Sequence, residues 1–249
     1  FCLFRQPIEG LNVGHLNWGT SNAKDLILSF WVKSSLTGTF GGAFQNSAGN
    51  RCYPFTYSIS AANTWEYKTI NVAGDTTGTW LTTNGIGLWI QFGLGVGSTY
   101  SGAAGAWSSS LYFSATGAVK LIETASATWQ ITGVQLEVGD TATPFEHRSY
   151  GDELAKCQRY YQTVVNNTFR EYVYNVHRHP IPLKVTMRSA PTCTVYHDGS
   201  AGPTTGVDTG YFTTESGTVA VSTAAVGASP GSNQMVDIVN LDIFADAEL

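Results

Sequence analysis

Charge is the first thing this chain is short of. Asp, Glu, Lys and Arg make up 12% of its 249 residues, about half the share usual in a soluble domain. Lys, Glu and Leu are scarce while Gly, Thr and aromatics abound, which excludes a long helical bundle. No apolar run approaches the roughly 18 residues needed to span a bilayer. No basic face stands out to neutralise phosphates. Neither membrane insertion nor nucleic-acid binding is therefore expected. Cysteine is sparse as well. Cys2, Cys52, Cys157 and Cys193 are too widely spaced for a metal ribbon. So few in so long a chain read as free, buried thiols from a reducing cytosol rather than as a disulfide framework. At Phe1 there is neither an initiator Met nor the basic start of a signal peptide, so the sequence reads as a piece of something longer.

What is present suits a folded, mostly β protein. Apolar residues reach 43%, with 27 Gly, 7 Trp and 12 Tyr, and the net charge is −5. A chain this aromatic and this weakly charged does not stay disordered. Its length allows one large domain or two modest ones. The patterning has period two. In the run 26–33, Leu26, Leu28, Phe30 and Val32 alternate with Ile27, Ser29, Trp31 and Lys33. In 88–94, Leu88, Ile90, Phe92 and Leu94 share one side and Trp89 and Gln91 the other. Further strands are predicted at 55–60, 66–72, 119–123 and 129–138. The turns Ala73-Gly74-Asp75, Thr83-Asn84-Gly85 and 95–98 separate them. Short strands at this spacing predict a two-sheet sandwich.

The pattern changes near Pro144. Ser149 is placed to cap a short helix, with Asp152 and Glu153 at its positive end. Strands are predicted again at 160–165, 170–177, 183–187, 192–196 and 235–244, where Val239, Leu241 and Ile243 share an apolar face. From Arg148 to Arg188 there are seven Lys or Arg; from Ser189 onward there are none, against seven Asp or Glu. A solvated acidic surface is one reading. The other is a basic stretch of one subunit facing the acidic stretch of a second.

The run 131–162, ITGVQLEVGDTATPFEHRSYGDELAKCQRYYQ, resembles a junction found in tail-fibre and related virion proteins of tailed bacteriophages. There it ends a β-sandwich and begins a C-terminal β domain. The stretches 5–59 and 63–102 and the ending Ala245-Asp246-Ala247-Glu248-Leu249 resemble the same proteins, whose sandwich is similar to jelly-roll carbohydrate-binding modules. The resemblance covers residues 1–162 well and the rest weakly. It implies an all-β chain: a jelly-roll-like sandwich over 1–146, a helical connector over 147–162 and a smaller β domain over 163–249. It also implies a homotrimer in the virion's tail, made in the bacterial host cytoplasm. Such proteins usually carry further strands before the Gln6-Pro7-Ile8 region, so the sandwich is expected to lack an edge strand unless another subunit or an upstream segment supplies one. At the junction, Glu146 and Arg148 are expected to pair and fix domain orientation, with Pro144-Phe145 as a wedge between the domains.

Catalysis finds little support in the residues. Between 71 and 136 the only acids are Asp75 and Glu123, too few for paired-carboxylate hydrolysis. No nucleophile elbow, phosphate loop or dinucleotide fingerprint occurs, and Gly93–Gly97 follows a strand without opening a helix. A non-enzyme is expected. Two metal readings remain open. His177 and His179 share a strand face, and three such pairs at a threefold axis would offer six nitrogens; the alternative is a polar strand end before Pro180. Asp75 and Asp140 with nearby carbonyls are candidates for Ca²⁺. Sugar binding rests on outward aromatics: Trp31 and Trp89 with Lys33 and Gln91, the composition of a sugar platform. Burial of the same side chains at an interface is the competing reading. Tyr100 and Trp107, in the Ser/Gly-rich stretch 97–110, form a second candidate. The expected function is attachment of a virion to a bacterial surface glycan. The alternative is a purely structural collar, baseplate or capsid-decoration component that docks on other virion proteins.

Overall fold

The computed structural model describes residues 1–173, 176–197, 200–201, 207–212, 216–222 and 234–248. The chain is all-β and forms two compact units, Phe1–His147 and Arg148–Leu249. The first unit holds β1 (Cys2–Glu9), a one-turn helix α1 (Gly10–Val13), β2 (Leu26–Ser34), β3 (Gly38–Gln45), β4 (Cys52–Ile59), β5 (Glu66–Val72), β6 (Ile86–Gly95), the two-residue strands β7 (Ser101–Gly102) and β8 (Ser114–Ala115), and β9 (Trp129–Val138). Its two main sheets, ordered β1-β6-β3-β4 and β5-β2-β9, are antiparallel throughout. The inward residues of each alternating strand close one core: Leu26, Leu28, Phe30 and Val32 from β2, Phe40 and Phe44 from β3, Tyr53, Phe55, Tyr57 and Ile59 from β4, and Leu88, Ile90 and Phe92 from β6. Phe30 of the smaller sheet meets Phe92 and Tyr57 of the larger one edge-on, at 5.2 Å in both cases. The indole of Trp129 donates to the Tyr57 hydroxyl at 3.1 Å and so ties the sheets together. Burial holds the Tyr57 phenol above the ordinary tyrosine pKa. Truncating a residue as fully enclosed as Phe30 costs about 3–5 kcal/mol.

The larger sheet carries a second layer of the chain on its outer side. Several outward positions on β3 and β6 are small: Gly41, Ala43, Gly93 and Gly95. A Cβ on either Gly41 or Gly93 would stand 2.6 Å from the Ser114 hydroxyl, and one on Gly95 would strike Ile122. The segment 97–123 lies flat because those side chains are absent. It is anchored by paired backbone bonds between Cys52 and Ser108 and by Gly105 donating to the Pro54 carbonyl. The strand expected at 119–123 is instead a single 3-10 turn, Leu121–Glu123, whose Leu121 plugs into the core. β1 forms the edge of the larger sheet, and Pro7 is tolerated there because an edge strand has N–H groups to spare.

The second unit begins with α2 (Tyr150–Gln158), capped by the Ser149 hydroxyl, which accepts from the Asp152 amide. Then come β10 (Tyr161–Val173), β11 (Val176–Pro182), β12 (Thr192–His197), β13 (Ser200–Ala201), β14 (Val207–Phe212), β15 (Ser216–Ser222) and β16 (Gln234–Asp246). They form sheets β10-β16-β12-β13 and β11-β15-β14. Leu183–Met187 is not the strand that its composition suggests. The buried side chain of Gln162 takes up its backbone, accepting from the Lys184 amide and donating to the Val185 carbonyl, both at 2.7 Å. All four cysteines are free, but only Cys52 is buried; Cys157 is exposed and Cys2 and Cys193 lie between. The expectation of uniformly buried thiols is corrected accordingly.

Candidate functional site: an open aromatic face

The solvent side of β5-β2-β9 carries an exposed aromatic surface. Register sets Trp31 between Tyr67 on β5 and Thr132 on β9. Trp31 is 44% and Tyr67 43% exposed, with ring centres 5.4 Å apart. One position further along β2 on the same face, Lys33 has its ammonium 5.2 Å above the ring of Trp65, which is itself 40% exposed. Exposed Thr69, Gln130 and Thr132 supply polar groups beside the rings.

A third aromatic arrives from outside the sheet. Between Ser29↔Gln135 and Trp31↔Thr132 the register slips, with Gly133 and Val134 in β9 opposite Phe30 alone. Gly133 has φ of 57°, a left-handed bulge position that glycine fills at no steric cost. Just beyond, Gln135 and Glu137 act as a clamp. The Gln135 amide donates to Thr143 and to the Pro144 carbonyl, while its oxygen accepts from the Glu146 amide at 2.8 Å. Glu137 accepts from both the amide and the hydroxyl of Thr143. The Thr143 hydroxyl first, and Gln135 second, hold the Glu137 carboxyl below its ordinary pKa. The clamped segment 143–146 sets Phe145 beside Gly133, where a Cβ would lie in ordinary van der Waals contact with Trp31 at 3.4 Å and Phe145 at 3.9 Å. Phe145 stays 47% exposed and meets the His147 ring edge-on at 5.2 Å. Tyr67 and Trp31 thus lie side by side across the strands, Phe145 approaches Trp31 at Gly133, and Lys33 and Trp65 stand in the neighbouring row.

The other residues expected at a platform lie elsewhere. Trp89 belongs to β6, on the opposite sheet from Trp31, and the Arg5 guanidinium covers its ring at 4.3 Å. Gln91 points away from the core as alternation requires, yet it is fully buried and donates to Gln45. Tyr100 stacks on Phe113 at 5.0 Å. Trp107 is structural: with Trp18 and Trp80 it forms a mutual edge-on cluster at 4.7–5.4 Å. Its N–H donates to the Ala73 carbonyl at 2.7 Å. Of the six proposed ligand contacts, only Trp31 and Lys33 are brought together. Tyr67, Trp65 and Phe145 were missed because only strand register and the clamp place them there.

Asp75 does not offer itself to Ca²⁺. It is 2% exposed and forms a bidentate pair with Arg51, at 2.7 Å from Nε and 2.6 Å from Nη2. Thr77 and the Trp80 indole also donate to it. The pairing raises the Arg51 pKa further. Asp140 is exposed and accepts from the Thr141 hydroxyl. Among the described residues no group of three or more His, Cys, Asp or Glu is gathered to hold a metal ion. His177 and His179 fall in β11 opposite Val221 and Val219; their side chains lie outside the described residues. Arg148 donates to Glu153 of α2 at 3.0 Å, and the Glu146 backbone is tied to Gln135. No protein-family model matches the chain, and no curated protein matches it.

Proposed function

We propose that this protein binds a bacterial surface polysaccharide without turning it over, as an attachment protein of a phage tail. The observation that carries the binding reading is the open strip Tyr67–Trp31–Phe145, flanked by Lys33 and Trp65, on a sheet face that leaves the rings uncovered. Aromatic rings held rigidly by strands lose little entropy on stacking against sugar rings, and adjoining hydroxyl and amide groups fix orientation. The virion setting and the homotrimer rest on the resemblance of the 131–162 run. That same run has a physical task at the site, since its Gln135 and Glu137 seat Phe145 in the strip.

The test is binding of fluorescently labelled protein to a panel of intact bacteria, with extracted surface polysaccharide as competitor. Saturable staining of some strains, abolished by competitor, is expected. Trp31→Ala should weaken it by about thirtyfold, roughly 2 kcal/mol as for a central aromatic contact. Absence of staining by folded, oligomeric protein, or staining unaffected by Trp31→Ala and Tyr67→Ala, overturns the proposal in favour of a structural virion component.

A further inference from the structure

We infer that the strip recognises an acidic glycan, with an anionic group of the sugar chain seated at Lys33 beside Trp65. The inference rests on the binding role proposed above and narrows its ligand class. Lys33 is half-buried on the solvent face of β2, and its ammonium stands 5.2 Å from the Trp65 ring. Among the described residues it makes no ion pair. The acids that β5 and β9 contribute to this sheet are otherwise engaged. Glu66, next to Trp65 in the chain, is bound to Lys68 at 2.7 Å and accepts from the amides of Ser60 and Ala61 at 2.8 Å. Glu137 is committed to Thr143. Among the described residues, Lys33 is therefore the strand cation of this face that has no ion-pair partner.

Its position matters as much as its charge. It sits one same-face step along β2 from Trp31 and is paired across the sheet with Gln130. A pyranose stacked on Trp31 or Tyr67 brings the substituents of its own or the next ring to the ammonium. There the stacked ring excludes water and strengthens the ion pair. The arrangement differs from Arg5 on Trp89, where the cation lies 4.3 Å over the ring and closes its face. Trp65 remains open. A lysine offers a compact point charge without bidentate geometry, which suits a single carboxylate or phosphate on a flexible polymer.

The experiment uses surface polysaccharide extracted from a strain that the labelled protein stains, both native and after chemical reduction of its carboxyl groups to alcohols. The full chain and its Lys33→Gln and Lys33→Arg variants are compared by equilibrium binding at low and high salt. The native polymer is expected to bind about tenfold more weakly to Lys33→Gln, with its salt dependence reduced, and Lys33→Arg should keep most of the affinity. Loss of the Lys33 effect on carboxyl reduction assigns the anion to a carboxylate; an effect that survives reduction assigns it to phosphate. If Lys33→Gln and wild type bind the native polymer alike while Trp31→Ala still abolishes binding, the acidic assignment fails and the sugar platform stands. If no variant or strain shows binding, the underlying function has failed instead.

Discussion

Arg51→Met tests how the structure is held together away from the aromatic strip. In the wild type, Asp75 is 2% exposed and accepts five bonds, two of them charge-assisted from Arg51 and three from Thr77 and Trp80. Removing Arg51 leaves a buried carboxylate with neutral donors alone. Breaking a buried pair from one side costs about 3–5 kcal/mol. The three surviving donors, and the 18% exposure of the Arg51 side chain, put this case near the lower end, about 3 kcal/mol. For a unit of this size, that is a fall in melting temperature of roughly 10 °C. Thermal unfolding followed by near-ultraviolet circular dichroism is the assay. Trp80 both donates to Asp75 and packs on Trp18 and Trp107, so the tryptophan signal reports on this corner directly. The double variant Arg51→Met/Asp75→Leu removes the orphaned charge and should be more stable than Arg51→Met alone. A loss under 1 kcal/mol for the single variant, or a double variant at least as unstable, would refute the reasoning.

Three further outcomes are expected. Gln135→Ala releases one half of the clamp, so it should weaken polysaccharide binding by several-fold and speed protease cleavage after Arg148 without changing the melting temperature by more than a few degrees; binding equal to wild type would detach Phe145 from the site. The Glu66 carboxyl is held down to about 2, first by Lys68 and then by the Ala61 and Ser60 amides. A depressed acid contributes stability that is present above its unfolded value of about 4.5 and fades as pH falls toward 2, so wild type and Glu66→Gln should converge in stability across that interval; parallel acid-unfolding curves would contradict it. Gly93→Val puts a side chain where the Ser114 hydroxyl already sits. It should cost about 1–3 kcal/mol as overpacking, and raise hydrogen exchange within 97–123; an unchanged exchange pattern would show that the overlay tolerates the added bulk.

Period-two alternation exposed β2, β5, β6 and β9 in the sequence because each buries one face and wets or covers the other. It hid β3, whose GTFGGAFQ composition is poor for a strand; Gly41 is there to admit Ser114, and Gly42 lies against the Phe55 ring. It misjudged 119–123, where alternation comes from Leu121 entering the core and Ile122 lying on Gly95. At the site, alternation told which way Trp31 and Trp89 point but not which sheet each belongs to. Only the pairing of β2 with β5 and of β6 with β1 and β3 separates them. An outward direction also does not mean contact with water, as Gln91 demonstrates. Phe145 could be placed only through hydrogen bonds between side chains and a distant backbone, which leave no periodic trace.

The overlay on the larger sheet has a bearing on which parts of this protein can be exchanged. A segment rich in Ser, Gly and Ala between two strands has the composition of a loop that evolution or an engineer could replace freely. Here 97–123 is a cladding fitted to bare backbone at Gly41, Gly93 and Gly95. A grafted sequence would need the same footprint to adhere, and a bulky residue beneath would lift it off. Diversification of the first unit is thereby steered to the opposite sheet, where side chains such as Tyr67, Thr69 and Gln130 face solvent and can change without undermining the layer below.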